Sequence, residues 1–318
     1  MSVEGAPPTE LWRAPAKINL WLTITGRRPD GYHEVDTGLQ AIDLADLVTL
    51  APAPDGGGVE CRVEGEFAAG IPGGEENLAV RAARALASRT GHELRLRIGL
   101  AKAIPPGAGL GGGSSDAAAV LLALARRFAV PDPRHTLHAL AAEIGADVAF
   151  FLEGGTQRAR GVGEDLAPMD PPEERWGILV HPGVVVSTAW AYAAWDQATG
   201  GIASVAAGGI ADAPPAEDWR ERGNAFEPLV FGRHPEAAQA AAVLRAGPAT
   251  VSRLSGSGGA VYALYRDEES RDSDLDRVGR EIASIRGARA WRFDTIDHGA
   301  RPWNDAGGDP SAGKRYIP

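Results

Sequence analysis

The sequence predicts an α+β fold built in two parts. Short alternating apolar runs mix with helical runs without a strict strand–helix–strand rhythm, which argues against a doubly wound parallel sheet. No segment repeats at a fixed period. A Pro- and Glu-rich seam, "DPPEE" from Asp170, splits the chain into two lengths that can each form a core. The expected division is a flexible lead at 1–11, a first domain at 12–170, a second at 171–297, and a disordered polar tail at 298–318.

Each element follows from local pattern. From Ile18 the chain alternates, with Ile18, Leu20, Leu22 and Ile24 on one face and Lys17, Asn19, Trp21 and Thr23 on the other, so a strand is predicted. "RRPDGYH" supplies a Pro-Asp-Gly turn. "AIDLADLVTLAP" and "VECRVEG" read as strands around the turn "PDGGG". "ENLAVRAARALASRTG" has helical spacing and stops at Gly91, a good C-cap. "ELRLRIGL" alternates again. "SDAAAVLLALARRFAV" is helical, "PDP" at 131–133 breaks it, and a second helix covers about Thr136–Ile144 before Gly145. "GGTQRARGVGEDL" reads as a hairpin. In the second half "GILVHPGVVVST" reads as a strand, and 197–218 as a mobile Ala/Gly/Pro-rich surface loop. A helix follows at "HPEAAQAAAVLRAG", then strand text at "TVSRLSGSGGAVYALYR". A charged helix from Asp267 to about Arg286 and a strand "ARAWRFDT" complete the pattern.

Composition removes several function classes. The formal net charge of −10 disfavours non-specific attraction to nucleic acid or an anionic membrane, so an anion must be held by a local site. The longest apolar run, Ala117–Ala125, is far short of the roughly 20 residues a membrane span requires. Cys61 is the only cysteine and cannot form an internal disulfide, which suits a reducing cytosol. The N-terminus lacks the basic and apolar regions of a secretory signal, and a cytoplasmic location is expected. No Cys/His cluster has metal-site spacing.

The most informative stretch is "KAIPPGAGLGGGSSDAAA" from Lys102, with five glycines in Gly107–Gly113 immediately before a helix. A helix start leaves N–H groups unpaired and carries partial positive charge. Glycines ahead of it let a phosphate approach the backbone, and Ser114 and Ser115 can cap the helix or donate to phosphate oxygens. The physical reading is a polyphosphate cradle. A Walker loop would need lysine after the last glycine, where Ser114 stands. Gly107, Gly109 and Gly112 satisfy the dinucleotide pattern G-x-G-x-x-G. The acidic ribose ligand that pattern requires has only Asp132 as a candidate, between two prolines. A glycine-rich surface turn that binds nothing would be needlessly floppy.

"IPPGAGLGGGSSDAAA" resembles the ATP-binding motif of the GHMP kinases. "PAKINLWLTITGRRPDGYHEV", "GADVAFF" and "LSGSGGAVYAL" resemble other motifs of the same family, in the same order, over about Trp12 to residue 295. The resemblance implies a first domain like the second domain of ribosomal protein S5 and a ferredoxin-like second domain. It implies ATP as co-substrate, with Mg2+ expected, and phosphorylation of a tertiary 2-hydroxyl on a small molecule carrying a cytidine diphosphate group. No nucleic-acid or membrane partner is implied. Its rivals are another GHMP small-molecule kinase of homoserine or mevalonate type, a nicotinamide-dependent oxidoreductase, and a non-catalytic ATP-binding module.

The resemblance also assigns roles. Asp147 would be the base for the acceptor hydroxyl, although an aspartate two residues past a glycine is also a common helix N-cap. Lys17 would lie beside it with Asn19 as a hydrogen-bonding neighbour, although the spacing alone equally describes a solvated edge-strand lysine. Pro105, Pro106, Gly107, Ala108, Gly109, Leu110, Gly111, Gly112, Gly113, Ser114 and Ser115 would form the ATP loop, with Lys102 reaching the nucleotide from upstream. Tyr32 and His33 would hold the cytosine, and Tyr192 or its rival Trp190 would close over it. Ser255, Gly256, Ser257 and Gly258 would form a second glycine turn near the reacting hydroxyl. Arg158 and Arg160 alternate on the hairpin, facing either the site or solvent. Two departures stand out. Ala225 in "NAFEP" replaces the aspartate common in the family, and Ala260–Val261 stand where Cys or Thr is common.

Overall fold

The computed structural model describes residues 8–53, 58–200, 218–303 and 316–317. The elements run β1 (Glu10–Arg27), β2 (His33–Pro52), β3 (Gly58–Glu64), α1 (Leu78–Thr90), β4 (Arg95–Ala101), α2 (Gly112–Arg127), α3 (Pro133–Ile144) and α4 (Val148–Glu153). They continue with β5 (Thr156–Arg160), β6 (Asp165–Pro168), β7 (Trp176–His181), α5 (Thr188–Thr199), a 3-10 turn (Trp219–Glu221), α6 (Glu227–Arg233) and α7 (Pro235–Arg245). The last are β8 (Val251–Leu254), β9 (Val261–Tyr265), α8 (Glu268–Ile282), β10 (Arg289–Asp294), β11 (Arg301–Pro302) and β12 (Tyr316–Ile317).

The long β1–β2 hairpin is the spine of the first sheet, whose order is β11-β1-β2-β4-β3. The far part of β2 pairs with β4 and its near part with β5, which carries β6. Among the described strand pairs of this sheet, only β3–β4 is parallel. The second sheet has the antiparallel order β12-β10-β7-β9-β8. Leaving out β12, the chain there runs strand, helices, strand, strand, helix, strand, the ferredoxin-like pattern.

Three apolar cores explain the assembly. The first lies between the β1–β2 sheet and α1–α4, where Leu86, Val120, Leu121, Leu124 and Phe150 are buried. The second lies between the other sheet and α5–α8. The third joins the sheets: Ile18, Leu20, Ile42 and Leu110 pack on Leu179, Tyr262, Leu264 and Phe293. Burying side chains of this size contributes about 1.5–3 kcal/mol each. β1 is therefore covered on both faces, and Lys17 is buried rather than solvated. The Tyr262 hydroxyl donates to the Asn19 carbonyl at 2.8 Å across this seam.

Several local expectations are corrected. β1 already begins at Glu10, so the flexible lead cannot extend to residue 11; residues 1–7 lie outside the described residues. "HPGVVVST" is not a strand beyond His181. Pro182 lacks an N–H, Gly183 is left-handed at φ +79°, and Val186 donates to the Gly107 carbonyl instead of a sheet partner. The helix α5 follows, capped by the Ser187 side chain on the Trp190 N–H, and takes up 197–199 of the expected loop. Of the rest of that loop, Gly200 caps α5 and Asp218 caps the 3-10 turn, and 201–217 lie outside the described residues. The segment from His298 was expected to be disordered, yet Ala300 donates to the Phe151 carbonyl and Trp303 to that of Leu11, with β11 paired to β1. The tail residues 304–315 and 318 lie outside the described residues.

Candidate active site

A cleft of about 1030 Å³ opens where the two sheets meet, and the glycine stretch forms one wall. Gly107, Gly109 and Gly111 take positive φ, and Gly111 sits at the N-cap of α2, where no side chain caps the helix. The first-turn N–H groups are thereby left available for an anion. The loop is held from the second sheet. Ser255 Oγ donates to the Gly109 carbonyl at 2.9 Å, Gly259 N–H to Gly107 at 3.1 Å, and Ala260 N–H to Ala108 at 3.2 Å. Contact is so close that a Cβ on Gly109 would stand 1.9 Å from the Ser255 carbonyl oxygen, and one on Gly258 2.0 Å from the Gly109 nitrogen.

Lys17 and Asp147 meet beside this loop. Lys17 Nζ lies 3.7 Å from Asp147 Oδ2 and donates to Asn19 Oδ1 at 2.6 Å. Asn19 in turn donates to Thr37 Oγ1 at 2.8 Å. The Lys17 side chain is 5% exposed and the Asp147 carboxylate 37%. Burial lowers the Lys17 pKa below its usual value, with Asp147 pulling the other way. Asp147 stands at the start of α4 but its side chain makes no cap, so its carboxylate is free to face the cleft. A Cβ on Gly256 would stand 3.2 Å from Lys17 Nζ, which brings the second glycine turn to the same point. That turn is held by Asn224, whose Nδ2 donates to the carbonyls of Leu254 and Gly256, so the neighbouring Ala225 does not disturb it.

Most of the expected residues line one cleft: Lys17, Asn19, Tyr32, His33, Pro105–Ser114, Asp147, Tyr192, Gly256 and Ser257. Ser115 is a correction. It is fully buried on α2, and its hydroxyl has no hydrogen-bond partner among the described residues. Ser255 and Gly258 buttress the glycine loop from behind rather than facing the cavity.

Lys102 is a second correction. It reaches the cleft wall, but its Nζ is buried between the carboxylates of Asp46 and Asp116 and donates to both. Asp46 also accepts from the N–H groups of Ala103 at 2.6 Å and Ile104 at 2.9 Å. The lysine thus ties β2, the loop and α2 together instead of extending toward a nucleotide. Burial pushes the Asp116 pKa up to about 7, Lys102 opposes this, and the nearby Asp46 charge adds to it. Burial alone would lower the Lys102 pKa, but the two carboxylates overcome it and raise it.

At the other end, His33 stacks on Tyr192 with centroids 4.7 Å apart and meets Trp195 edge-on at 5.7 Å. Tyr32 is 63% exposed at the rim. Trp190 turns away to His234, so Tyr192 is the aromatic that faces the cleft. Burial and the Asp147 charge push the Tyr192 hydroxyl up to about 12. Arg158 and Arg160 do not line the cleft; Ala159 between them does, and Arg158 holds Asp36 through two bonds of 2.8 Å.

Sequence reasoning missed two parts of the wall. Ile71, Pro72, Asn77 and Leu78 extend it beyond the glycine loop. Asn77 bonds the Pro72 carbonyl and caps α1. Its capping signal is visible in the sequence, but its place beside the loop depends on α1 packing on α2. Asp196, four residues from Tyr192 and on the same helix face, could have been found had α5 been recognised. Among the described residues, no three His, Cys, Asp or Glu side chains cluster to hold a metal ion, and no helix is long and apolar enough to cross a membrane.

Comparison with known proteins places these features. The GHMP kinases N terminal domain family matches residues 77–155 and the GHMP kinases C terminal family matches 214–284. The chain is 37% identical over 284 residues to a 4-diphosphocytidyl-2-C-methyl-D-erythritol kinase of Geobacter sp. (strain M21), covering 89% of this chain and 98% of that one. It is 40% identical over 281 residues to the protein of the same name from Nitratidesulfovibrio vulgaris (strain DP4), covering 85% and 95%. A crystal structure of 4-(cytidine 5'-diphospho)-2C-methyl-D-erythritol kinase superposes with a TM-score of 0.67 at 33% identity, over 89% of this chain and 99% of that one. A homoserine kinase from Cytophaga hutchinsonii shares the fold, with a TM-score of 0.72 at 19% identity over 95% and 100%.

Proposed function

The chain belongs to the 4-diphosphocytidyl-2-C-methyl-D-erythritol kinases within the GHMP kinase family, and on that premise we propose how its cleft performs the reaction. The enzyme transfers the γ-phosphate of ATP to the 2-hydroxyl of 4-diphosphocytidyl-2-C-methyl-D-erythritol, giving the 2-phosphate and ADP, in the non-mevalonate route to isopentenyl diphosphate. One observation carries the assignment of roles: Lys17 and Asp147 stand together in the same cleft as the open N-terminus of α2.

The triphosphate lies against the N–H groups of Gly107–Ser114, with the nucleotide base toward the stretch of wall formed by Ile71, Pro72, Asn77 and Leu78. Mg2+ accompanying ATP would supply neutralisation of the phosphate charge. The half-exposed Asp147 carboxylate takes the proton from the substrate hydroxyl as its oxygen bonds to the γ-phosphorus and the bond to ADP breaks. Lys17, fixed by Asn19, places positive charge where negative charge develops. The cytidine end lies between the hairpin tip at Tyr32–His33 and Tyr192, which requires the stacked His33 and Tyr192 rings to part or to present an edge. The first part, 12–170, supplies the nucleotide loop and the reacting pair; the second, 171–297, supplies Tyr192 and the glycine turn.

The test is phosphorylation by the purified chain, followed by ADP release and by 31P NMR of the product. Wild type should convert the cytidyl substrate and leave homoserine and mevalonate untouched, and Asp147→Asn should lower kcat about 10²–10⁴-fold. Turnover of homoserine or mevalonate in place of the cytidyl substrate would overturn the substrate assignment. Wild-type rates in Asp147→Asn would overturn the base.

A further inference from the structure

The stretch between β3 and α1 is fastened from the opposite sheet. Residues 65–77 contain no helix or strand, yet Ile71, Pro72 and Asn77 among them form the wall beyond the glycine loop. The two ends are tied within the first part of the chain. Gly65, at φ +102°, turns so closely over Lys102 that a Cβ would stand 2.7 Å from the Lys102 nitrogen, and the Phe67 N–H donates to the Lys102 carbonyl at 3.3 Å. At the other end Asn77 Nδ2 donates to the Pro72 carbonyl at 2.7 Å while its Oδ1 caps α1. Between these ends the backbone bonds are short turns, from Ala68 to Gly65 and from Ile71 to Ala68.

The middle depends on one side chain. Phe67 packs on the core that joins the sheets, edge-on to His181 of β7 at 6.3 Å and tilted against Trp291 of β10 at 6.1 Å. Arg289, also on β10, covers the ring with its guanidinium 5.2 Å from the centroid and pairs with the neighbouring Glu66. Burial pushes the His181 pKa down to about 4, so this socket is uncharged at neutral pH. Five residues past His181, Val186 donates to the Gly107 carbonyl at 3.3 Å. The end of β7 therefore serves two walls of the cleft, one through Phe67 and one through the glycine loop.

We propose that Phe67 is a positioning residue: with Arg289 as its cover, it pins residues 65–77 to the second sheet and keeps the wall for the nucleotide base formed before ATP arrives. The proposal rests on the reading above, in which the base lies toward Ile71, Pro72, Asn77 and Leu78. A stretch without regular structure and with few buried contacts opens locally at low cost. Without the pin, ATP must order the wall as it binds, which weakens its affinity. Lys17 and Asp147 stand on other elements, so the transfer step itself is spared.

Two measurements on the full chain test this. The first needs no turnover. In hydrogen–deuterium exchange, residues 65–77 of Phe67→Ala should exchange about tenfold faster than in wild type without nucleotide, and a saturating non-hydrolysable ATP analogue should bring the rate back. The second is steady-state kinetics. In Phe67→Ala the KM for ATP should rise about tenfold, with kcat and the KM for the cytidyl substrate within about twofold. Phe67→Tyr keeps the ring and should stay near wild type. Arg289→Ala, at a partly exposed position, should raise the KM for ATP about threefold. Unchanged exchange in Phe67→Ala overturns the pin. So does an equal rise in both KM values, which is what general loosening gives, and so does an unchanged KM for ATP in either alanine variant. Faster exchange that the analogue does not reverse overturns the placement of the base at this wall, and the proposal with it. Failure of the wild type on the cytidyl substrate overturns the proposed function, while exchange still decides the pin.

Discussion

Lys17→Met should separate activity from stability. Lys17 is nearly fully buried, so its ammonium carries a desolvation cost of several kcal/mol. Against this stand one charge-assisted bond to Asn19, worth about 1.5–3 kcal/mol, and the attraction to Asp147. At 3.7 Å and an effective dielectric of about 20 that attraction is about 4 kcal/mol. The carboxylate is more than a third exposed, and water reduces this to about 1 kcal/mol. The lowered pKa of Lys17 gives the balance: burial outweighs its partners. A base whose folded-state pKa lies below its unfolded value holds its proton less tightly when folded, so ionised Lys17 costs stability at neutral pH. That cost fades as pH rises through the lowered pKa toward the unfolded 10.5. Methionine removes the buried charge, keeps the volume, and leaves Asn19 Oδ1 without its donor at about 1–3 kcal/mol. Thermal unfolding of Lys17→Met at pH 7 should therefore occur within about 3 °C of wild type or above it. Its kcat should fall about 10²–10³-fold, as for loss of one group stabilising the transition state. A Tm lowered by more than about 8 °C would show that Lys17 holds the fold, and an unchanged kcat would show that it has no part in transfer.

Two other perturbations probe the loop and the charges beneath it. Gly109→Ala places a side chain at φ +79° and 1.9 Å from a backbone carbonyl, so the loop must move off the Ser255 turn. Its KM for ATP should rise at least about tenfold, and an unchanged KM in steady-state assays would mean the loop does not hold the nucleotide. Asp116→Asn tests the buried triad. An acid whose folded pKa is raised from 3.8 to about 7 makes the wild type lose stability as pH rises between those values. Asparagine does not titrate, so the Tm of the variant relative to wild type should climb by several degrees from pH 4.5 to 7.5. A constant difference across that range would place the proton elsewhere.

The parts of this molecule legible in its sequence are those where local chemistry and tertiary role agree. Five glycines crowded around the start of an alanine-rich helix suit an anion site, so Gly107–Ser114 could be found without coordinates, although Gly112 and Gly113 already belong to α2. Gly91 ended α1 because only glycine adopts its left-handed turn easily, and this too is local. The misreadings arose where distant partners decide. Val184–Val186 has strand chemistry, but Pro182 and Gly183 end the ladder and the Gly107 carbonyl takes the Val186 N–H. Lys102 looks like a free cation until β2 brings Asp46 beneath it. α5 was hidden because its Ala, Trp and Tyr residues sit in a run without clean helical alternation, and Asp196 was hidden with it.

The stitching of the glycine loop to the Ser255–Ala260 turn has a mechanical consequence. A mouth whose floor is sewn from both sheets cannot hinge at that floor without tearing three backbone carbonyls from their donors. Widening to admit a long nucleotide-bearing alcohol falls instead to the lips, where α5 faces the tip of the first hairpin across a clasp of one aspartate, one arginine and one imidazole. The phosphate seat is thus tied by main-chain carbonyls to both sheets, whereas the lips are joined only through side chains.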